Sequence, residues 1–308
     1  MKDSSARRRG RTGTFVGLVM ALMLALPLFG GGAQAQEKII NGQPAGKWAF
    51  PFMARVWFGG EVLCNGTLIA PGQVLLPASC TYQLRIHRNN GFVVKPLRSA
   101  DLAVSFSVDG ADAGASSRRP VTRIIRRPGF DADGCLNEFT CHHNAAILEV
   151  RQVPAGAAPV DLVAAGEVGY EREGRTLTAV GWGPMRMNDS SSVQVTQAMI
   201  PVMDQAVCAK RYQTLTGYPG TVQDLFDEAA SFCTYRTTVG PCFPEIGGPA
   251  LVERDHRWLQ VGMLNGMASC AIPKWPNVYA RISEPGLNEW IRATTMATGP
   301  GAKKGGRS

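Results

Sequence analysis

Charge and histidine are both scarce in this chain of 308 residues. Only 18% of it is Asp, Glu, Lys or Arg, and there are four histidines, His87, His142, His143 and His256. So little charge beside 45% hydrophobic residues excludes a disordered polymer or a coiled coil, and no Gly-X-Y period supports a collagen. Aromatics are thin at 8%, while Gly 35 and Pro 20 punctuate the chain too often for long helices. Many short strands joined by turns are expected instead. Long hydrophobic runs are also missing, apart from the apolar stretch Thr14 to Phe29.

The net charge of +8 sits at the two ends. The first 35 residues carry +4, from Lys2, Arg7, Arg8, Arg9 and Arg11 against Asp3, and the tail after Ala297 carries +3, from Lys303, Lys304 and Arg307. The body between is left at +1, which removes the ground for a nucleic-acid reading of the basic pI. Basic residues 1–11, the apolar run, and Ala33-Gln34-Ala35 form the three parts of a secretory signal over residues 1–35. The run is short for a membrane span, and no second stretch reaches that length. Residues 36–38 read as a short propeptide-like segment, and 298–308, rich in Gly and Lys, as a disordered basic tail. A secreted or periplasmic protein is expected.

Eight cysteines, at 64, 80, 135, 141, 208, 233, 242 and 270, suit four disulfides in an oxidising compartment, with connectivity open. Strand signals recur at Val121–Arg126, Thr176–Val180, Val193–Ile200 and Trp258–Leu264. Helices are expected over about Asp204–Tyr212 and Gly286–Thr295, and residues 151–166 read as a linker between halves.

Six motifs occur in order: Ile39-Ile-Asn-Gly; Cys64-Asn-Gly-Thr-Leu-Ile-Ala-Pro through Ala78-Ser79-Cys80; Asn144-Ala-Ala-Ile-Leu; Gly181-Trp182-Gly183; Cys242 to Pro249 with Gly247-Gly248-Pro249; and Pro276-Asn-Val-Tyr-Ala-Arg before Trp290-Ile291. Together they resemble the trypsin/chymotrypsin-like serine protease family (peptidase S1). The resemblance implies an all-β fold of two packed antiparallel six-stranded β-barrels with a short C-terminal helix. The domain would span 39–297, the first barrel about 39–155 and the second about 156–297. It further implies the disulfides Cys64–Cys80, Cys208–Cys233 and Cys242–Cys270, leaving Cys135 and Cys141 to close an additional loop.

The same resemblance places Ser79 where the family has its general base, Asn144 where it has aspartate, and Ile246 where it has the nucleophilic serine. No triad is then intact: isoleucine has no nucleophilic atom, and a serine hydroxyl is not a base near neutral pH. Pro244 occupies the position of one oxyanion donor and lacks an N–H. The substrate pocket maps to Gly240, Pro241, Asn265, Gly266 and Met267, a neutral set that reads either as drift or as a remodelled apolar or peptide groove. Cleavage after Lys38 would free Ile39 to pair with Glu245.

Smaller signals remain. Arg118, Arg119, Arg123, Arg126 and Arg127 form a candidate anion patch, weighed against a solvated strand edge. Cys135, Cys141, His142 and His143 suggest a metal site, against which a disulfide loop is preferred. Asn65-Gly-Thr and Asn188-Asp-Ser fit the glycosylation pattern. The resulting expectation is an exported pseudoprotease without cofactor or metal. Its partner would be a protein or peptide ligand, or an anionic polymer, and not nucleic acid; a serine endopeptidase with an aberrant site is the alternative.

Overall fold

A computed structural model describes residues 42–46, 48–86, 92–110, 114–138, 141–182, 195–217, 227–236, 240–241, 245–266 and 275–298. The chain divides into units Met1–Gln34 and Ala35–Ser308; the first lies wholly outside the described residues, and everything below belongs to the second.

Strands follow in chain order: β1 (Gln43–Pro44), β2 (Met53–Phe58), β3 (Glu61–Ala70), β4 (Gln73–Leu76), β5 (Tyr82–Ile86), β6 (Phe92–Pro96), β7 (Leu102–Phe106), β8 (Arg119–Arg126), β9 (Ala146–Val150), β10 (Asp161–Leu162), β11 (Thr176–Gly181), β12 (Thr196–Pro201), β13 (Ser231–Thr234), β14 (Pro249–Arg254), β15 (Arg257–Gly266) and β16 (Asn277–Arg281). Among the described residues three α-helices accompany them: α1 (Ala132–Glu138), α2 (Gln205–Thr216) and α3 (Pro285–Thr298). The fold is mostly β and trypsin-like, with the expected short C-terminal helix.

Strands β2, β3, β4, β9, β8 and β7 close into a six-stranded barrel. Among the described residues the second half forms a half-barrel. It is an eight-stranded sheet running β1-β12-β11-β14-β15-β16-β13, with β10 parallel to β15. Its far strand β13 returns to the end of β12 through one bridge, Val202 to Thr234. Two hydrogen bonds flank that bridge: Met203 N–H to the Cys233 carbonyl at 3.0 Å and Tyr235 N–H to the Pro201 carbonyl at 3.2 Å. A four-residue β13 is too short for a full ladder, and the Cys208–Cys233 disulfide fastens it to α2.

The seam between the halves follows from strand period. In β4 and β9, Val74, Leu76, Ala146 and Leu148 point into the first core, whereas Leu75 and Ile147 point into the second. These strands bury both faces, so their sequences read as unbroken apolar runs rather than alternating ones. Each such Leu or Ile contributes about 2 kcal/mol on burial. Polar contacts cross the seam too: Thr67 Oγ1 donates to Gln260 Oε1 at 2.8 Å, and Gln73 Nε2 to the Thr295 carbonyl of α3 at 3.3 Å.

Residues 151–166, expected as a linker, are stitched down on both sides. Val160 N–H bonds the Leu68 carbonyl at 2.9 Å and Val163 N–H the Gln260 carbonyl at 3.1 Å. Gln43–Pro44, assigned above to the first half, pairs instead with β12 of the second. Helix α2 starts where expected, with Asp204 Oδ1 accepting from Val207 N–H at 2.7 Å. It runs past Tyr212 because the first left-handed residue able to end it is Gly217 (φ 65°). Helix α1, inside the Cys135–Cys141 region, carried no periodic signal.

The β14–β15 hairpin turns on Asp255 and His256, both with positive φ (51° and 58°). Such two-residue turns favour Asn-Gly, and a side chain there costs about 1 kcal/mol or more. Replacing Asp255→Asn together with His256→Gly is therefore expected to raise unfolding stability by about 1 kcal/mol, read as a higher urea midpoint at unchanged slope.

Candidate functional site

Ser79 lies on a single 3-10 turn, Ala78–Thr81, directly after β4. The Cys64–Cys80 disulfide pins this turn to β3. Inside the turn Thr81 Oγ1 donates to the Ala78 carbonyl at 2.6 Å, and Arg126 Nε donates to Thr81 Oγ1 at 2.8 Å. The backbone is thus held independently of what residue 79 does.

Asn144 precedes β9 and is 3% exposed. Its Oδ1 accepts the Ser79 N–H at 2.8 Å while its Nδ2 donates to Ser79 Oγ at 3.1 Å. The same Nδ2 lies 3.7 Å from Cys135 Sγ. The two residues satisfy each other: the carboxamide's acceptor faces a donor, and its donor faces an acceptor. Neither carries a charge or a titratable proton near neutral pH. His143, the preceding residue, faces elsewhere. It has φ 53°, and its Nδ1 lies 3.1 Å from the Pro128 carbonyl oxygen.

Ile246 sits in a turn closed by Gly248 N–H to the Glu245 carbonyl at 2.8 Å. Its carbonyl accepts Asn65 N–H at 2.8 Å, and Gly247 N–H bonds the Leu264 carbonyl at 2.8 Å. Gly247 has φ 90°, and a Cβ there would fall onto the Asn65 carbonyl oxygen and within 3.0 Å of Pro77. Only glycine fits there, which fixes the backbone of the turn at this point. The Ile246 side chain is partly buried and packs on both cores. Asn65 adjoins Cys64, and Pro77 lies two residues before Ser79. The turn at Ile246 is thereby held against β3 and the end of β4, and the Ser79–Asn144 pair follows that same end of β4.

Glu245 is 1% exposed and lies against Gly181, where a Cβ would collide with its carboxylate. Burial, reinforced by the nearby Glu245 carboxylate, pushes the Tyr279 hydroxyl up from its ordinary value. Ile39, its expected partner, lies outside the described residues, as do Pro244, Met267, Cys242 and Cys270.

Gly240 and Pro241 are buried. A Cβ on Gly240 would stand 3.1 Å from Asn277 Nδ2, a tight contact with the end of that side chain. The motif reading gave Asn277 no role; the signal for it was a polar residue directly before the apolar Val278-Tyr279-Ala280 of β16. Asn265 falls at an irregularity in the β15–β16 register. Its Oδ1 is buried with no partner among the described residues. Gly266 faces Val278 and the Tyr212 hydroxyl. Tyr212 meets Trp275 edge-to-face at 5.6 Å, and burial pushes its hydroxyl up to about 12.

The arginine run divides among internal partners. Arg119 pairs with Asp109 at 2.7 Å, Arg127 with Glu284 at 3.1 Å and Arg123 with Glu149 at 3.7 Å. Arg126 donates to the carbonyls of Thr81 and Leu97, and Arg118 stacks over Trp57 at 3.7 Å. These contacts tie Arg119 and Arg126 within the first half and Arg127 to Glu284, the residue before α3. Cys135 and Cys141 are joined as a disulfide, which leaves no thiolate for a metal. Asn65 is 1% exposed within β3, so its glycosylation pattern has no accessible amide; Asn188 lies outside the described residues.

Removing the Asn144 carboxamide orphans the Ser79 N–H. Asn144→Ala is expected to cost about 1–3 kcal/mol, and Ser79→Ala, which keeps the N–H bond, less than about 1 kcal/mol. Urea unfolding of both variants checks the order; equal losses would mean that the backbone bond is not the dominant one.

The Trypsin family profile matches residues 39–291. "Transmembrane protease serine 9" of Rattus norvegicus is 26% identical over 265 residues, covering 84% of this chain but only 22% of that protein. "Venom protease" of Bombus pensylvanicus is 24% identical over 268 residues, covering 80% of this chain and 95% of that one. The first relative thus extends far beyond the part this chain matches, whereas the second is matched nearly end to end. Among the described residues no helix is long and apolar enough to cross a membrane. With the barrel, the disulfides and the ordered motifs in agreement, the chain belongs to the trypsin family.

Proposed function

We propose that this trypsin-family protein is exported and works by binding a protein or peptide in its cleft, not by cutting one. The observation that carries the reading is the locked turn at Ile246. Gly247 admits no side chain and the Ile246 carbonyl is bonded to Asn65, which fixes the backbone there, and isoleucine offers no hydroxyl or thiol. Ser79 and Asn144 supply no base to replace the imidazole, since their polar atoms are turned toward each other. In serine proteases the loss of these groups lowers turnover by about a millionfold. Loss of an oxyanion donor, as at Pro244, costs a further 100- to 1000-fold or so.

The second reading, a serine endopeptidase with altered chemistry, draws support from the protease names of the two relatives. Labelling with a fluorophosphonate separates the two. The purified protein is expected to take no label and to cleave a general peptide set no faster than a boiled control. An acyl or phosphonyl adduct on the chain would remove the binding reading.

Export rests on the signal pattern of residues 1–35 and on three disulfides, which persist in oxidising compartments. In the same reading, cleavage after Lys38 releases Ile39 to meet the buried carboxylate of Glu245. N-terminal sequencing of the mature protein is expected to find Ile39; Gln36 as the sole start would reject that pairing.

A further inference from the structure

Of the six cysteines among the described residues, Cys64, Cys80, Cys135, Cys208 and Cys233 are buried and Cys141 alone is partly exposed. Its bridge to Cys135 spans 6 positions, against 16 for Cys64–Cys80 and 25 for Cys208–Cys233. The shortest loop constrains the unfolded chain least, so its opening costs the fold least. What the bridge holds is local. Helix α1 has seven residues, too few to be stable alone, and it packs on the 78–81 turn and on β6. Cys135 lies within α1 and Cys141 three residues before Asn144, so the bridge ties the helix to the chain entering β9. At the Cys135 end, Asn144 Nδ2 lies 3.7 Å from Sγ as a donor, while it also donates to Ser79 Oγ at 3.1 Å.

We propose that Cys135–Cys141 is a thiol-exchange site, opened by an external dithiol that attacks Cys141, and that its opening releases α1 from the Ser79–Asn144 pair. The incoming thiolate bonds to Cys141 Sγ as the Cys135–Cys141 bond breaks, and the electron pair leaves on Cys135 Sγ. Asn144 Nδ2 stands ready to donate to that departing thiolate, which then takes a proton from water. The second thiolate of the dithiol attacks its partner sulfur in the mixed disulfide, closes the oxidised dithiol and expels Cys141 as a thiolate, which is protonated in turn. Two electrons and two protons pass from the dithiol to the protein. Access sets the direction of attack, because exposed disulfides exchange and buried ones do not. Cys64–Cys80 and Cys208–Cys233, buried at both ends, stay closed in the folded state. The dithiol is of the class carried by exported thiol–disulfide oxidoreductases. The proposal concerns the frame of the site and holds whatever the cleft binds.

Dithiothreitol is the probe, added in steps to the folded, oxidised protein, with the freed thiols alkylated and located by mass spectrometry. Cys135 and Cys141 are expected to react at a dithiol concentration at least about tenfold below that needed for Cys64, Cys80, Cys208 and Cys233. Glutathione, a monothiol that cannot complete the second step, is expected to leave its adduct on Cys141. Hydrogen exchange reads the consequence: after selective reduction the amides of α1 and of Ser79 are expected to exchange at least about tenfold faster, and those of β4 and β9 at their former rate. A Cys135→Ser, Cys141→Ser double variant is expected to show the same pattern without reductant. Reduction of all three bridges together, a glutathione adduct on Cys135, or unchanged exchange in α1 after opening would each overturn the proposal. If the double variant does not fold, the titration and the exchange measured on the wild-type chain decide alone.

Discussion

The seam between the two β structures is the constraint on which the site depends. Strands β4 and β9 serve both cores at once, because side chains alternate across a strand and here both faces are covered. Leu75 and Ile147 belong to the second core, although their backbones belong to the first barrel. The two halves cannot separate without exposing these residues, and the cleft residues sit at the ends of the same strands. Ser79 follows β4 by three residues and Asn144 precedes β9 by two, so the geometry that joins the halves also brings 79 and 144 within hydrogen-bonding distance.

The backbone of the site is held by interactions that ignore its chemistry. Gly247 is required by the Asn65 carbonyl, the Ile246 carbonyl is required by the Asn65 N–H, and the turn at 78–81 is fixed by a disulfide and by Arg126. None of these contacts involves the side chain of residue 79, 144 or 246. Side chains at those three positions are therefore free to change without dismantling the frame, provided that buried polar atoms stay paired. The Ser79–Asn144 couple meets that condition and Ile246 does so by being apolar. A neutral seam results, beside which Arg55 lies over the Trp182 ring at 4.7 Å and burial lowers its pKa to about 10.

Most of the fold was legible in the sequence because it is written in local rules. The disulfides Cys64–Cys80, Cys208–Cys233 and Cys135–Cys141 form as the motif resemblance and the leftover pair implied. Among the described residues the strand signals fall on β8, β11, β12 and β15, and both expected helices exist. What escaped were long-range facts. The arginines near β8 look alike in sequence, but Asp109, Glu284 and the carbonyl oxygens of Thr81 and Leu97 that engage three of them come from distant segments. Residues 151–166 read as loose because Ala, Pro and Gly carry no period, although Val160 and Val163 are core residues of the two halves.

Asn277 shows the same limit within the site. Its place in the motif Pro276-Asn-Val-Tyr-Ala-Arg says nothing of its surroundings, and only the approach of Gly240 reveals what its carboxamide faces. Gly247 and Gly240 differ in what holds them small. At Gly247 the backbone of Asn65 leaves no choice, whereas at Gly240 the neighbour is the end of a side chain, Asn277 Nδ2. A side chain at Gly247 would displace backbone and break the frame; at Gly240 it would press only on the Asn277 carboxamide.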